Sequence, residues 1–185
     1  MSDEYLIDFC SPTLASLKTG SLFNSPYEFE EKLQQWLAAK NSELNPRGIH
    51  LLLLRRCSKH ALIYVYRPSA LVSALKEKDV QAFLRECGYP SPGNMALCLS
   101  LLKQRAADCG QPFPHEIGIF LGYPLYDVQC FLRYHGQGCR KLGLWQVYGN
   151  VEECNRCFIR YQKCTSVYRR SWSLGRSVVQ LTVAG

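Results

Sequence analysis

The chain has 185 residues, 47% apolar and 20% charged, which suits one folded domain with a real core and excludes disordered, collagen-like and low-complexity classes. The longest aliphatic run, Ile49 to Leu54 interrupted by His50, is far too short to span a bilayer. The net charge of +7 lies wholly in residues 130–185, where nine basic side chains face two acidic ones, while residues 1–129 carry thirteen of each.

Met1-Ser2-Asp3-Glu4 is acidic and lacks the basic n-region of a secretory signal, so the expected location is the cytoplasm. There the ten cysteines are expected to be thiols, mostly small apolar filler. Cys10-Ser11-Pro12-Thr13-Leu14 predicts a short helical turn with Ser11 as cap and Pro12 at the first helical position. Ser25-Pro26-Tyr27-Glu28 repeats that logic with a capping-box Glu28 and predicts a helix to about Lys40, with Phe29, Leu33, Trp36 and Leu37 buried. Residues 49–55 and 61–67 predict a β-hairpin in which Tyr64 and Tyr66 share a face. Helices are expected near 69–76, from Asp79 to about Cys87, and from Asn94 to about Cys109 with Leu97, Leu101 and Leu102 inward.

Residues 113–128 predict a helix, a tight Gly122-Tyr123-Pro124 turn and a second helix. Residues 142–148 have strand composition and are expected to pair with the hairpin. Asn150 caps a long helix, with Glu153 three residues on, that stops at Gly175. Val178 to Val183 predicts a last strand. The expected fold is α+β: one mostly helical domain over 1–185 around a small antiparallel sheet made of hairpin 49–67 plus strands near 142–148 and 178–183.

Phe9-Cys10-Ser11-Pro12-Thr13-Leu14-Ala15, Tyr64-Val65-Tyr66-Arg67, His115 to Val128, Trp145-Gln146-Val147-Tyr148, Cys164 and Leu181-Thr182-Val183-Ala184 together resemble a family of small uncharacterised bacterial proteins, mainly from anaerobic Gram-positive lineages. The resemblance spans nearly the whole chain, departing at Tyr126, where an acidic residue is expected, and at Cys154 and Cys157. It implies no established activity, fold or cofactor. It does point toward anaerobic redox metabolism and an acidic redox partner such as a flavodoxin.

Three functional classes remain open on the residues. The first is a small-ligand or cofactor-binding accessory protein, its ligand unknown, with Tyr64, Arg67 and Tyr123 as binding residues and Trp145 and Tyr148 among the aromatics able to line a flat-ligand pocket. The second is a thiol-dependent enzyme. Cys10 at a helix mouth would be the nucleophile, His115 its base, and Glu116 would fix the imidazole tautomer, provided the fold brings them together. The third reads residues 116–132 as a helix-turn-helix, but Leu125, Tyr126 and Asp127 are poor readers of base edges, which argues against nucleic acid.

Cys154 and Cys157 form a CxxC inside a helix, on one stripe with Phe158, Tyr161, Cys164, Tyr168 and Trp172. With only Cys139 or Cys130 as a fourth ligand and no second CxxC, the stripe reads as core, and no metal site is assigned. Arg156, Arg160, Lys163 and Arg170 stand on the opposite face, either as a solvated surface or as a docking surface for the acidic partner.

Overall fold

The computed structural model describes residues 2–108, 110 and 112–185. Strand β3 (His60–Tyr66) is the centre of a three-stranded antiparallel sheet, flanked by β1 (Gly20–Pro26) and β2 (His50–Cys57). The pairings Phe23 with Ile63 and Leu51 with Val65 fix the register, and a bulge near Leu54 re-aims β2.

Alternation along β3 divides the core. Ala61, Ile63 and Val65 face a layer built from α1 (Glu4–Leu14), α2 (Glu30–Leu44) and α9 (Val178–Leu181). Tyr64 and Tyr66 face the other layer, built from α3 (Pro68–Lys76), α4 (Lys78–Glu86), α5 (Met95–Ala107), α6 (Ile117–Phe120) and α7 (Leu125–Tyr134). Residues such as Ile63 and Leu71, with no exposed surface, each contribute about 1.5–3 kcal/mol of burial free energy. The long helix α8 (Val151–Ser173) crosses α1, and a small hairpin, β4 (Lys141–Leu142) and β5 (Gln146–Val147), packs on α7.

The α+β class is as expected, and so are the hairpin, the shared tyrosine face, the helix start at Asn94 and the cap at Asn150, whose side chain accepts from Glu153 N–H; Asn94 likewise accepts from Leu97 N–H. Other expectations need correction. The third strand is Gly20–Pro26, so Ser25 and Pro26 end an edge strand and cap no helix. An edge strand tolerates a proline because one side needs no ladder donor. Helix α1 begins at Glu4, so Cys10 lies in its middle and Pro12 in its last turn. Strands β4 and β5 pair with each other and not with the main sheet. Residues 178–181 are helical because Ser177 and Gln180 form a reciprocal capping box that outweighs the β-preference of the valines. Phe29 and Leu97, placed in the core by periodicity, are more than half exposed. Cys109, the expected end of the fifth helix, lies outside the described residues. Cys57, at the end of β2, is disulfide-bonded, against the expectation of thiols throughout.

Candidate ligand cleft

The Gly122-Tyr123-Pro124 turn is the hub of the site. The Tyr123 N–H donates to Gly118 O at 2.9 Å, and Gly122 adopts φ +78°, a conformation that favours glycine. A β-carbon there would also sit 2.7 Å from Thr19 Oγ1, so the turn abuts the loop that follows α1. From the other side, Tyr161 of α8 donates its hydroxyl to Leu17 O at 3.1 Å. Lys18 is thus held between the turn and α8. Its Nζ lies 5.2 Å from the Tyr123 ring centroid, in cation–π range.

Trp145, between β4 and β5, stacks on Tyr123 at 4.7 Å and meets Phe158 edge-on at 4.5 Å. Its indole N–H donates to Asp127 Oδ2 at 2.8 Å. Asp127 Oδ1 accepts from Tyr148 N–H and Gly149 N–H at 2.9 and 2.8 Å, so one buried carboxylate fastens the small hairpin to α7. Gly143 has no room for a side chain, since a β-carbon would run into the Phe158 ring.

Two hollows share part of this wall, with Tyr123 and Leu144 lining both. The first, 310 Å³, is lined mainly by apolar and aromatic groups, among them Phe113, Phe131, Leu142 and Trp145. That volume is at the lower end for small-molecule sites. His115 stands at its rim, exposed, with its ring edge-on to Phe131 at 4.9 Å. The second, 480 Å³, is more polar and is lined by Lys18, Ser21, Gln162, Ser166 and the Asp8–Arg169 ion pair among others.

Lys18 gives the second hollow its electrostatic character. Part of its side chain meets solvent, but its ammonium is crowded by protein atoms. Burial pulls its pKa from 10.5 down to about 8, partly offset by Cys10 and Cys157. Among the described residues no carboxylate pairs with it, whereas Arg169 is already engaged by Asp8 at 2.6 Å.

A family model described as "Protein of unknown function (DUF3793)" matches residues 6–182. The chain belongs to that family. No curated protein and no solved structure gives a significant match.

The residues singled out in this DUF3793 chain fall in separate places. Cys10 is fully buried in the layer with α2 and α9, and burial pushes its thiol far above the ordinary range; the charge it senses is Lys18. His115 belongs to the other side of the sheet, beside Phe113 and Phe131, so the fold does not assemble a Cys10–His115 pair. Glu116 turns inward, away from the imidazole. It pairs with Arg105 at 2.9 Å and accepts from the Tyr89 hydroxyl at 3.2 Å.

Of the three expected binding residues, only Tyr123 lines a cavity of this cleft. Tyr64 is buried, stacked on Tyr66, and donates to Phe120 O at 2.5 Å. Arg67 is buried and donates to Thr13 O, Leu14 O and Val183 O, each at 2.7 Å, tying the end of α1 to the C-terminal segment. The polar atoms of both are thus engaged by backbone carbonyls.

Helix α6 is a single buried turn, and Asp127 of α7 is consumed by the β4–β5 hairpin, so this region is not shaped as a helix-turn-helix. Among the described residues no three His, Cys, Asp or Glu side chains converge as a metal site, and Cys154 lies in the small core with Val147 and Phe158. Among the described residues no helix is long and apolar enough to cross a membrane.

Arg156, Arg160, Lys163 and Arg170 are all exposed on α8, and Ile159, Val167 and Leu174 are exposed among them. Sequence reasoning missed Lys18 entirely, because an isolated lysine between apolar segments carries no pattern. Asp127 had a weak signal, an acid in a first helical turn, which suggests only a favourable helix-dipole interaction.

Proposed function

We propose that this protein binds a small planar ligand in the cleft between the Gly122-Tyr123-Pro124 turn, the β4–β5 hairpin and α8. The single observation that carries the reading is the rigid aromatic wall of the first hollow. Trp145 is clamped by Tyr123, Phe158 and the Asp127 carboxylate, so a flat ligand meets a surface that is ordered in advance and costs little to immobilise. Leu142 and Leu144 remain 72% and 48% exposed at the mouth, apolar surface that a bound ring would cover.

The test is a fluorescence titration with 1-anilinonaphthalene-8-sulfonate, a probe whose flat naphthalene ring brightens in apolar sites. The reading expects saturable binding at one probe per chain, weakened about tenfold or more by Leu144→Asp, which puts a charge at the junction of the two hollows. Leu144 is half exposed, so the variant should fold normally. Non-saturable binding, or binding indifferent to Leu144→Asp, contradicts the reading.

A second reading concerns the cationic face of α8. A merely solvated face does not require three exposed aliphatic residues at Ile159, Val167 and Leu174 among its cations. The mixture supports docking of an acidic protein such as a flavodoxin, by charge complementarity around an apolar stripe. Titration against an acidic flavodoxin at two salt concentrations tests it, with a steep loss of affinity at higher salt expected. No binding at low salt, or binding indifferent to salt, counts against it.

A further inference from the structure

We infer that the second hollow is an oxyanion subsite in which Lys18 takes the carboxylate or phosphate of a ligand whose planar part lies against Trp145 and Tyr123. The inference rests on the cleft reading above and adds the charge of the ligand. Three observations converge on it. The hollow contains two cations and one carboxylate; Asp8 engages Arg169, and Lys18 is left over. The Lys18 ammonium sits against Tyr123, and Tyr123 and Leu144 line both hollows, so an anion at Lys18 and a ring in the first hollow would flank the same two side chains. The loop bearing Lys18 is braced by Tyr161 and by the Gly122 turn, so the cation is positioned before any ligand arrives.

Holding a cation there without an acid partner is unfavourable for the free protein, which is why its pKa falls. An arriving oxyanion removes that cost, and the ion pair then forms in a partly desolvated site, where charge-assisted contacts are strong. The groups facing Lys18 are Cys10 from α1, Cys157 and Tyr161 from α8, and Tyr123 from the turn, with the Asp8–Arg169 pair across the hollow. Cys10 and Tyr161 are held protonated by burial, so near pH 8 neither supplies a competing negative charge.

The experiment compares 1-anilinonaphthalene-8-sulfonate with neutral N-phenyl-1-naphthylamine, which lacks only the sulfonate. Wild-type protein should favour the anionic probe. Lys18→Met should weaken it about tenfold while leaving the neutral probe unchanged, and Lys18→Arg should restore most of the difference. The sulfonate stays ionised at every pH used, so its affinity should fall as pH rises through and above about 8, whereas the neutral probe should show no such step. Benzoate and phenyl phosphate, which carry the two natural oxyanions on one ring, should displace the anionic probe from wild type and not from Lys18→Met; failure of both contradicts the assignment. Equal loss of both probes in Lys18→Met means a structural role for the lysine and overturns it. Loss of neither overturns it as well, yet leaves the cleft standing if Leu144→Asp weakens both. If neither probe binds wild-type protein, the cleft reading itself has failed.

Discussion

The Trp145 indole N–H and the Asp127 carboxylate meet at 2.8 Å, and this contact joins the aromatic wall of the cleft to helix α7. Both Asp127 oxygens accept from the β4–β5 hairpin and its exit, so the carboxylate substitutes for the extensive packing that a hairpin of two-residue strands cannot supply. In Asp127→Asn one oxygen can still accept from Tyr148 and Gly149, but the amide NH₂ then faces the indole N–H, donor against donor. The expected loss is about 1–3 kcal/mol in urea unfolding, with Trp145 emission shifted to the red and weaker probe binding. Unchanged stability and emission would remove Asp127 as the fastening of the site.

Arg67 makes a larger structural claim. Its guanidinium donates at once to the buried carbonyls of Thr13 and Leu14 and to the part-buried carbonyl of Val183, a task suited to one planar fork. Replacement by Met removes three short charge-assisted hydrogen bonds; Thr13 O and Leu14 O keep the N–H donors of Ser16 and Val183, and the loss should still come to about 3 kcal/mol by denaturant unfolding. A loss below about 1 kcal/mol would mean that water or neighbouring N–H groups serve those carbonyls equally well.

Cys10 should be chemically silent. Burial raises its thiol well above the ordinary range, and the nearby Lys18 offsets this only in part. Iodoacetamide at pH 7.5 should modify Cys10 at least about a hundredfold more slowly than a free cysteine, read by peptide mass after proteolysis. A rate near that of free cysteine would restore a nucleophilic role.

Lys18 links the cleft to stability. In the folded protein burial lowers its pKa to about 8, against 10.5 when exposed. Below pH 8 both states carry the charge, and the folded state bears the full cost of burying it. Between pH 8 and 10.5 the folded state releases its proton first, so the unfolded state binds more protons and stability rises with pH. Lys18→Met should therefore be more stable than wild type at pH 7, by roughly 1–2 kcal/mol once the shift is discounted for the solvent-exposed part of the side chain. The advantage should shrink toward pH 10.5. Urea unfolding of both proteins at pH 7 and pH 10 measures it, and a difference independent of pH would refute the account of Lys18.

The fold was legible where local chemistry and tertiary packing agree. Alternation in residues 61–66 gave the central strand, and Asn94 and Asn150 announced two helix starts. It was illegible where they compete. Gly20–Pro26 has no β-branched residue, and its strand conformation comes from pairing with β3, while Ser25-Pro26 imitates a helix cap. Val178 to Val183 looks like a strand, yet the Ser177–Gln180 box and burial of Val178 and Leu181 select a helical turn.

The site divides along the same line. Tyr123 and Trp145 stand in a conspicuous aromatic pattern and do line the cleft. The Cys10–His115 pairing required proximity between two distant segments, which spacing cannot reveal, and the sheet keeps them in different layers. Lys18 is significant only through what surrounds it.

The most direct measurement of the central claim is a crystal structure of the protein with 1-anilinonaphthalene-8-sulfonate bound. The account predicts naphthalene rings against Trp145 and Tyr123, with a sulfonate oxygen within about 4 Å of Lys18 Nζ. Probe density elsewhere on the molecule, with this cleft empty at saturating probe, would contradict it.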